Sequence, residues 1–167
     1  MEYRTLGKTG LKISRMGFGG IPIQKIDEEG TKKLLHAMAE KGINYIDSAR
    51  GYTVSERYIG YGLEGIRDKF VLATKSMART KEAMAADIET SLNNFRTDYI
   101  DLYQVHNPSM EQLDQVIGEG GALEALQSGP DKAIQKLEGS SVSRYDQYKS
   151  GSYVNTAMYM GTNSTSY

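Results

Sequence analysis

Four residues of different chemistry stand out along the chain: Asp47, Tyr52, Lys75 and His106. A phenol can give up a proton, an ammonium beside it favours the phenolate, and a carboxylate can hold the ammonium in place. An imidazole can hydrogen-bond a polar group on a bound molecule. Together they form a coherent proton-transfer set, provided the fold gathers them. Each also has an ordinary reading. Asp47 suits a turn or a helix N-cap, and Tyr52 is one of 12 tyrosines. Lys75 could be the first solvated residue after a buried strand. His106 is one of two histidines, and the other, His36, lies mid-helix among Lys and Leu, where a structural role is favoured.

The elements that must position these residues alternate in type. The opening YRTLGKTGLKISR puts a Gly-containing turn between two short alternating runs and predicts a β-hairpin. MGFGG (16–20) predicts a short strand ending at Gly19 and Gly20. Asp27 is placed to cap the helix EEGTKKLLHAMAEK, whose Leu34, Leu35 and Met38 share a side, and Gly42 falls where a C-terminal cap belongs. INYID predicts a second strand, SERYIGYGLEGI a second helix and FVLATK a third strand. In KEAMAADIETSLNNF, Met84, Ile88, Leu92 and Phe95 make a helical stripe. YIDLYQVH is a fourth strand, and EQLDQVIGEGGALEALQ opens a fourth helix. A hairpin followed by four strand–helix units argues for an α/β fold with a parallel sheet and right-handed crossovers. An open doubly wound sheet and the start of a (β/α)8 barrel both fit, and the hairpin is more natural as a plug under a barrel.

In a barrel, functional groups collect at the carboxyl ends of the strands. The four strands deliver Gly19 and Gly20, then Asp47 with Tyr52 in the following loop, then Lys75, then His106. Gly19 and Gly20 admit two readings, a plain strand-end turn or a place where a ligand approaches the backbone, and their spacing is not that of a dinucleotide fingerprint.

The stretches RTLGKTGLKISRMGFGG, NYIDSARGY, SERYIGYGL, FVLATK, TDYIDLYQVHNP and GALEAL occur in series over about residues 1–127, and in this the chain resembles the aldo-keto reductases, NADPH-dependent TIM-barrel enzymes. The resemblance implies reduction of aldehydes or ketones to alcohols, with NADPH supplying hydride and Tyr52 the proton. It implies a catalytic tetrad of Asp47, Tyr52, Lys75 and His106. Tyr52 and His106 would meet the carbonyl substrate, while Gly19, Gly20 and Asp47 would meet the cofactor. Thr53 departs from the pattern, since many members carry Gly after the tyrosine.

Composition bounds the alternatives. The 167 residues carry a net charge of −1, which offers no electrostatic lure for nucleic acid or anionic membrane. There is no cysteine, hence no thiolate chemistry or Cys-ligated metal, and no metal site is expected. No apolar run approaches the roughly 18–20 residues that span a bilayer, and a cytoplasmic home is expected. Near residue 128 the character changes to a tail rich in Ser, Tyr, Gly and Thr, in which 130–137 suits a short helix and 153–160 a strand. The expected division is 1–127 as the first half of a barrel and 128–167 as a tail without the resemblance. An eight-unit barrel needs roughly 250 residues, so three readings stay open: a fragment or fusion, self-association through exposed sheet edges, or part of a longer enzyme. A non-catalytic half-barrel scaffold is the alternative to an oxidoreductase.

Overall fold

The computed structural model describes residues 1–7 and 9–128. The division at 127/128 and the expected tail helix and strand concern residues that lie almost wholly outside this range. The chain opens with an antiparallel hairpin, β1 (Tyr3–Thr5) and β2 (Lys12–Ser14). Four parallel strands follow, β3 (Phe18–Gly19), β4 (Tyr45–Asp47), β5 (Val71–Ser76) and β6 (Leu102–Val105). Between and after them come α1 (Glu28–Glu40), α2 (Ser55–Gly62), α3 (Lys81–Phe95), α4 (Met110–Ile117) and α5 (Ala122–Ser128). A 3-10 turn, Ile21–Lys25, follows β3, and a shorter one, Arg67–Lys69, precedes β5.

The strands stand side by side in sequence order, β3-β4-β5-β6. A doubly wound sheet reverses its order at a switch point, and no reversal occurs here. The sheet is therefore the first half of a (β/α)8 barrel. The hairpin meets it at the amino ends of the strands. There the Asn44 side chain accepts from the Ser14 amide at 2.6 Å and donates to the Lys12 carbonyl at 2.9 Å, while the Tyr3 hydroxyl donates to the Gly42 carbonyl. This is where a plug beneath a barrel belongs.

Strand periodicity divides the sheet between its two faces. Ile46, Leu72, Thr74, Ser76, Tyr103 and Val105 point to the helices and are buried. They pack with Leu35, Ile59, Met84, Ile88 and Phe95. Register then puts Asp47 beside Ala73, and Lys75 beside Gln104, on the other face. The N-caps form where polar side chains precede the helices: Asp27 accepts from the Gly30 amide, Thr80 from Ala83 and Ser109 from Gln112.

One expectation needs correction. The predicted fourth helix is two helices, because Gly118 takes an extended backbone and Gly120 a positive φ of 70°. Gly121 cannot carry a side chain without striking the Gln115 and Val116 carbonyls at 2.4 Å. The α3 stripe of Met84, Ile88, Leu92 and Phe95 packs against the core, Leu92 being partly buried, and Ser91 beside it is fully buried because it serves a polar cluster described below.

Helices α2 and α3 meet at Gly60, where an added Cβ would lie 2.2 Å from the Asn94 carbonyl oxygen and 2.6 Å from the Phe95 Cα. Backbone cannot yield as a flexible side chain does. Gly60→Ala is therefore expected to destabilise the fold by about 1–3 kcal/mol, read as a lower urea midpoint at unchanged slope.

Candidate active site

At the carboxyl rim Lys75 is the hub. It sits one residue before the end of β5, so the strand projects it to the face opposite Thr74 and Ser76. Its ammonium donates to Asp47 Oδ2 at 2.7 Å and to the Ser48 carbonyl at 2.6 Å. The Lys75 side chain is only 12% exposed and that of Asp47 37%. Gln104, its register neighbour on β6, donates to Asp47 Oδ1 at 3.4 Å. The carboxylate is thus held from two strands.

Tyr52 lies in the loop between β4 and α2, with its ring centroid 5.3 Å from the Lys75 ammonium. The His106 ring meets it edge-on at 6.0 Å between centroids. His106 directly follows β6, its amide donating to the Ser76 carbonyl and its own carbonyl accepting from Arg79 at 2.8 Å. The structure thus brings all four sequence-predicted residues into one cluster. Burial lowers the His106 pKa below the ordinary imidazole value, with the positive charges of Lys75 and Arg79 acting in the same direction and Asp47 opposing them. Its Nδ1 is buried without a hydrogen-bond partner among the described residues. A bare nitrogen lone pair is tolerable there, whereas a buried unpaired N–H would cost more.

A cleft of about 370 Å³ opens beside the cluster, lined by Phe18, Gly19, Gly20, Ile21, Pro22, Asp47 and Tyr52. The two glycines differ in what they allow. A Cβ at Gly19 would enter open space, while one at Gly20 would press within 2.6 Å of the Ser55 hydroxyl. Gly20 has an ordinary packing reason to be small, and Gly19 leaves the cleft floor bare. Thr53, at the departure from the family pattern, holds φ at 43° in the left-handed region that favours glycine. Its hydroxyl donates to Gln24 at 2.8 Å, joining the Tyr52 loop to the 3-10 turn that walls the cleft. A larger depression, about 700 Å³ around Arg67, Arg96 and Tyr99, lies at the amino ends of the strands, away from the cluster.

Sequence reasoning missed Ser48 and Gln104. The second was legible in principle, since period-two alternation in LYQVH puts residues 104 and 106 on one face. Among the described residues no group of acidic and histidine side chains could hold a metal, and no helix is long and apolar enough to cross a membrane.

A half barrel with an acid, a phenol, an ammonium and an imidazole on its carboxyl rim has the site layout of a (β/α)8 barrel enzyme. The chain belongs to the aldo/keto reductase family, whose model matches residues 15–140. It is 35% identical over 142 residues to aldo-keto reductase YhdN of Bacillus subtilis, covering 71% of this chain and 43% of that protein. It is 32% identical over 143 residues to L-galactose dehydrogenase of Arabidopsis thaliana, covering 76% and 44%. Among solved structures, the holo form of aldo-keto reductase AKR11C1 from Bacillus halodurans superposes with a TM-score of 0.65 at 30% identity, covering 77% of this chain and 47% of that one. The chain thus spans less than half the length of these relatives.

The lowered His106 pKa has a definite sign. The unfolded chain takes up a proton at the ordinary value near 6.5, where the folded chain still resists it. The contribution to stability is therefore complete above about pH 6.5 and is lost as pH falls through the depressed folded value. In nuclear magnetic resonance titration the His106 ring is expected to protonate below pH 6.5, and His106→Gln should flatten the pH dependence of the unfolding free energy in that window.

Proposed function

We propose that this chain carries the proton-delivering and carbonyl-orienting part of an NADPH-dependent reductase of aldehydes and ketones. The observation that carries this is the Lys75 ammonium, fixed by Asp47 and Ser48 and set 5.3 Å from the Tyr52 ring. The bare floor at Gly19 and the apolar wall of Phe18, Ile21 and Pro22 fit a flat nicotinamide ring. Gly19, Gly20 and Asp47 are the residues here that would hold it. A reduced nicotinamide, when bound, supplies the hydride that no side chain can.

The chain's own part is proton transfer and orientation. Hydride addition to a carbonyl carbon leaves an alkoxide, and the Tyr52 hydroxyl donates its proton to that oxygen. Phenolate then remains on Tyr52. Lys75 stabilises it by Coulombic attraction in a partly desolvated site. Asp47 takes no part in bond making; it holds the ammonium at the rim. A neutral His106 with its proton on Nε2 donates to the substrate oxygen and leaves Nδ1 as the unprotonated, buried nitrogen, consistent with its lowered pKa.

A second reading is a half-barrel scaffold that binds no cofactor and associates with a second copy of itself. Its motive is that β3 and β6 each pair on one side only among the described residues, and open parallel edges invite pairing. Sedimentation combined with an NADPH titration separates the two: a monomer that binds NADPH favours the reductase, a dimer indifferent to it the scaffold. For the reductase, Tyr52→Phe is expected to lower turnover of a reactive aldehyde by about 10²–10⁴-fold while leaving NADPH affinity within a few-fold. Loss of reduced-nicotinamide absorbance at an equal rate in both proteins would overturn the assignment of Tyr52 as acid.

A further inference from the structure

Behind the cluster, on the helix side of the sheet, lies a buried polar assembly that proton transfer does not use. Glu56, in the first turn of α2, is only 2% exposed. Its Oε1 accepts from the Thr74 and Ser91 hydroxyls, both at 2.8 Å. Its Oε2 accepts from Arg50 Nη1 at 2.9 Å and from the Asn94 amide at 3.0 Å. The Arg50 guanidinium also reaches Asp87 Oδ1 of α3 at 3.3 Å. Asp87 in turn accepts from the Ser76 hydroxyl.

The partners are distributed in a telling way. Thr74 and Ser76 flank Lys75 on β5, so the residues either side of the ammonium are pinned from behind while Lys75 points forward. Arg50 belongs to the loop that carries Tyr52, and its amide donates to the Lys75 carbonyl at 2.9 Å. The loop is also tied to β5 by the Ser48 amide to the Ala73 carbonyl and by the Lys75 ammonium to the Ser48 carbonyl. One buried carboxylate therefore joins the strand of the ammonium to the loop of the phenol. An apolar packing of similar volume would stabilise a helix–sheet interface as well or better, so stability alone does not account for the assembly.

We propose that Arg50, Glu56 and Asp87 are positioning residues that set the separation between the Lys75 ammonium and the Tyr52 ring. The proposal rests on the proton-delivery reading of Tyr52. They touch neither substrate nor cofactor. Their effect passes through the backbone of β5 and the 48–54 loop. The Arg fork matters because its planar geometry fixes Nη1 on Glu56 and Nε on Asp87 at once.

The test uses the full chain and Glu56→Gln, which keeps volume and shape. Contacts between the Lys75 side-chain protons and the Tyr52 ring are followed by nuclear Overhauser effects, and turnover is followed with NADPH and a reactive aldehyde. Glu56→Gln is expected to weaken the Lys75–Tyr52 effects and to lower kcat by about 10- to 100-fold, with KM for NADPH within twofold. A folded Glu56→Gln protein with unchanged Lys75–Tyr52 effects overturns the proposal, whatever its turnover. If Glu56→Gln does not fold, Arg50→Lys decides by the same measurement, since it keeps the charge and removes the fork. Weakened contacts there support the proposal, and unchanged contacts overturn it. A parent chain that shows the contacts but no turnover defeats the reductase reading and leaves the positioning claim to the Overhauser effects alone.

Discussion

The ion pair between Lys75 and Asp47 is the constraint on which the rest of the rim depends. A lysine side chain that is only 12% exposed is costly to hold charged without an opposite charge at contact distance. Asp47 can answer that need only if β4 and β5 run parallel in the observed register, which sets Asp47 beside Ala73, two residues before Lys75 on the same face. A slip of one residue would turn Lys75 into the helix layer and Thr74 into the cleft. The apolar outer face, with Ile46, Leu72 and Val105 under the helices, prevents that slip. Core packing and site geometry are thus two faces of one register.

The site groups occupy strand ends and loops, where backbone is free to turn, but none hangs on loop conformation alone. Lys75 lies within β5 and His106 hydrogen-bonds back to Ser76. Tyr52 lies farthest from a strand, five residues beyond the end of β4. Its loop is fastened by Ser48 and Arg50 to β5, by Thr53 to the 3-10 turn at Gln24, and by the Ser48 and Ser55 hydroxyls to each other at 2.9 Å. The left-handed backbone of Thr53 is a local cost accepted in a loop with so many ties.

Much of this was legible in the residue order. Apolar runs ending in Asp47, Lys75 and His106 announced both the strands and the rim they share, and Asp27 and Gly42 marked the limits of α1 by ordinary capping chemistry. What stayed hidden depends on contacts between distant elements. Nothing local distinguishes Glu56 from the solvated acids of α1, because its burial is created by Thr74, Ser91, Asn94 and Arg50. Ser91 reads as a polar interruption in an apolar stripe until its carboxylate partner is in place. Gly20 reads as part of a ligand loop, and only the structure adds the packing reason for its size, the two serines that crowd it. The break between α4 and α5 was written in GEGG, but the helical period on both sides concealed it.

The central claim is that Asp47 and Lys75 act as one unit in presenting charge to Tyr52. A double-mutant cycle on kcat/KM for aldehyde reduction, using Asp47→Asn, Lys75→Met and the pair together, measures this directly. If the carboxylate works only by holding the ammonium, the double variant will be no slower than Lys75→Met alone. Losses that multiply, so that the double variant falls by the product of the two single effects, would contradict it.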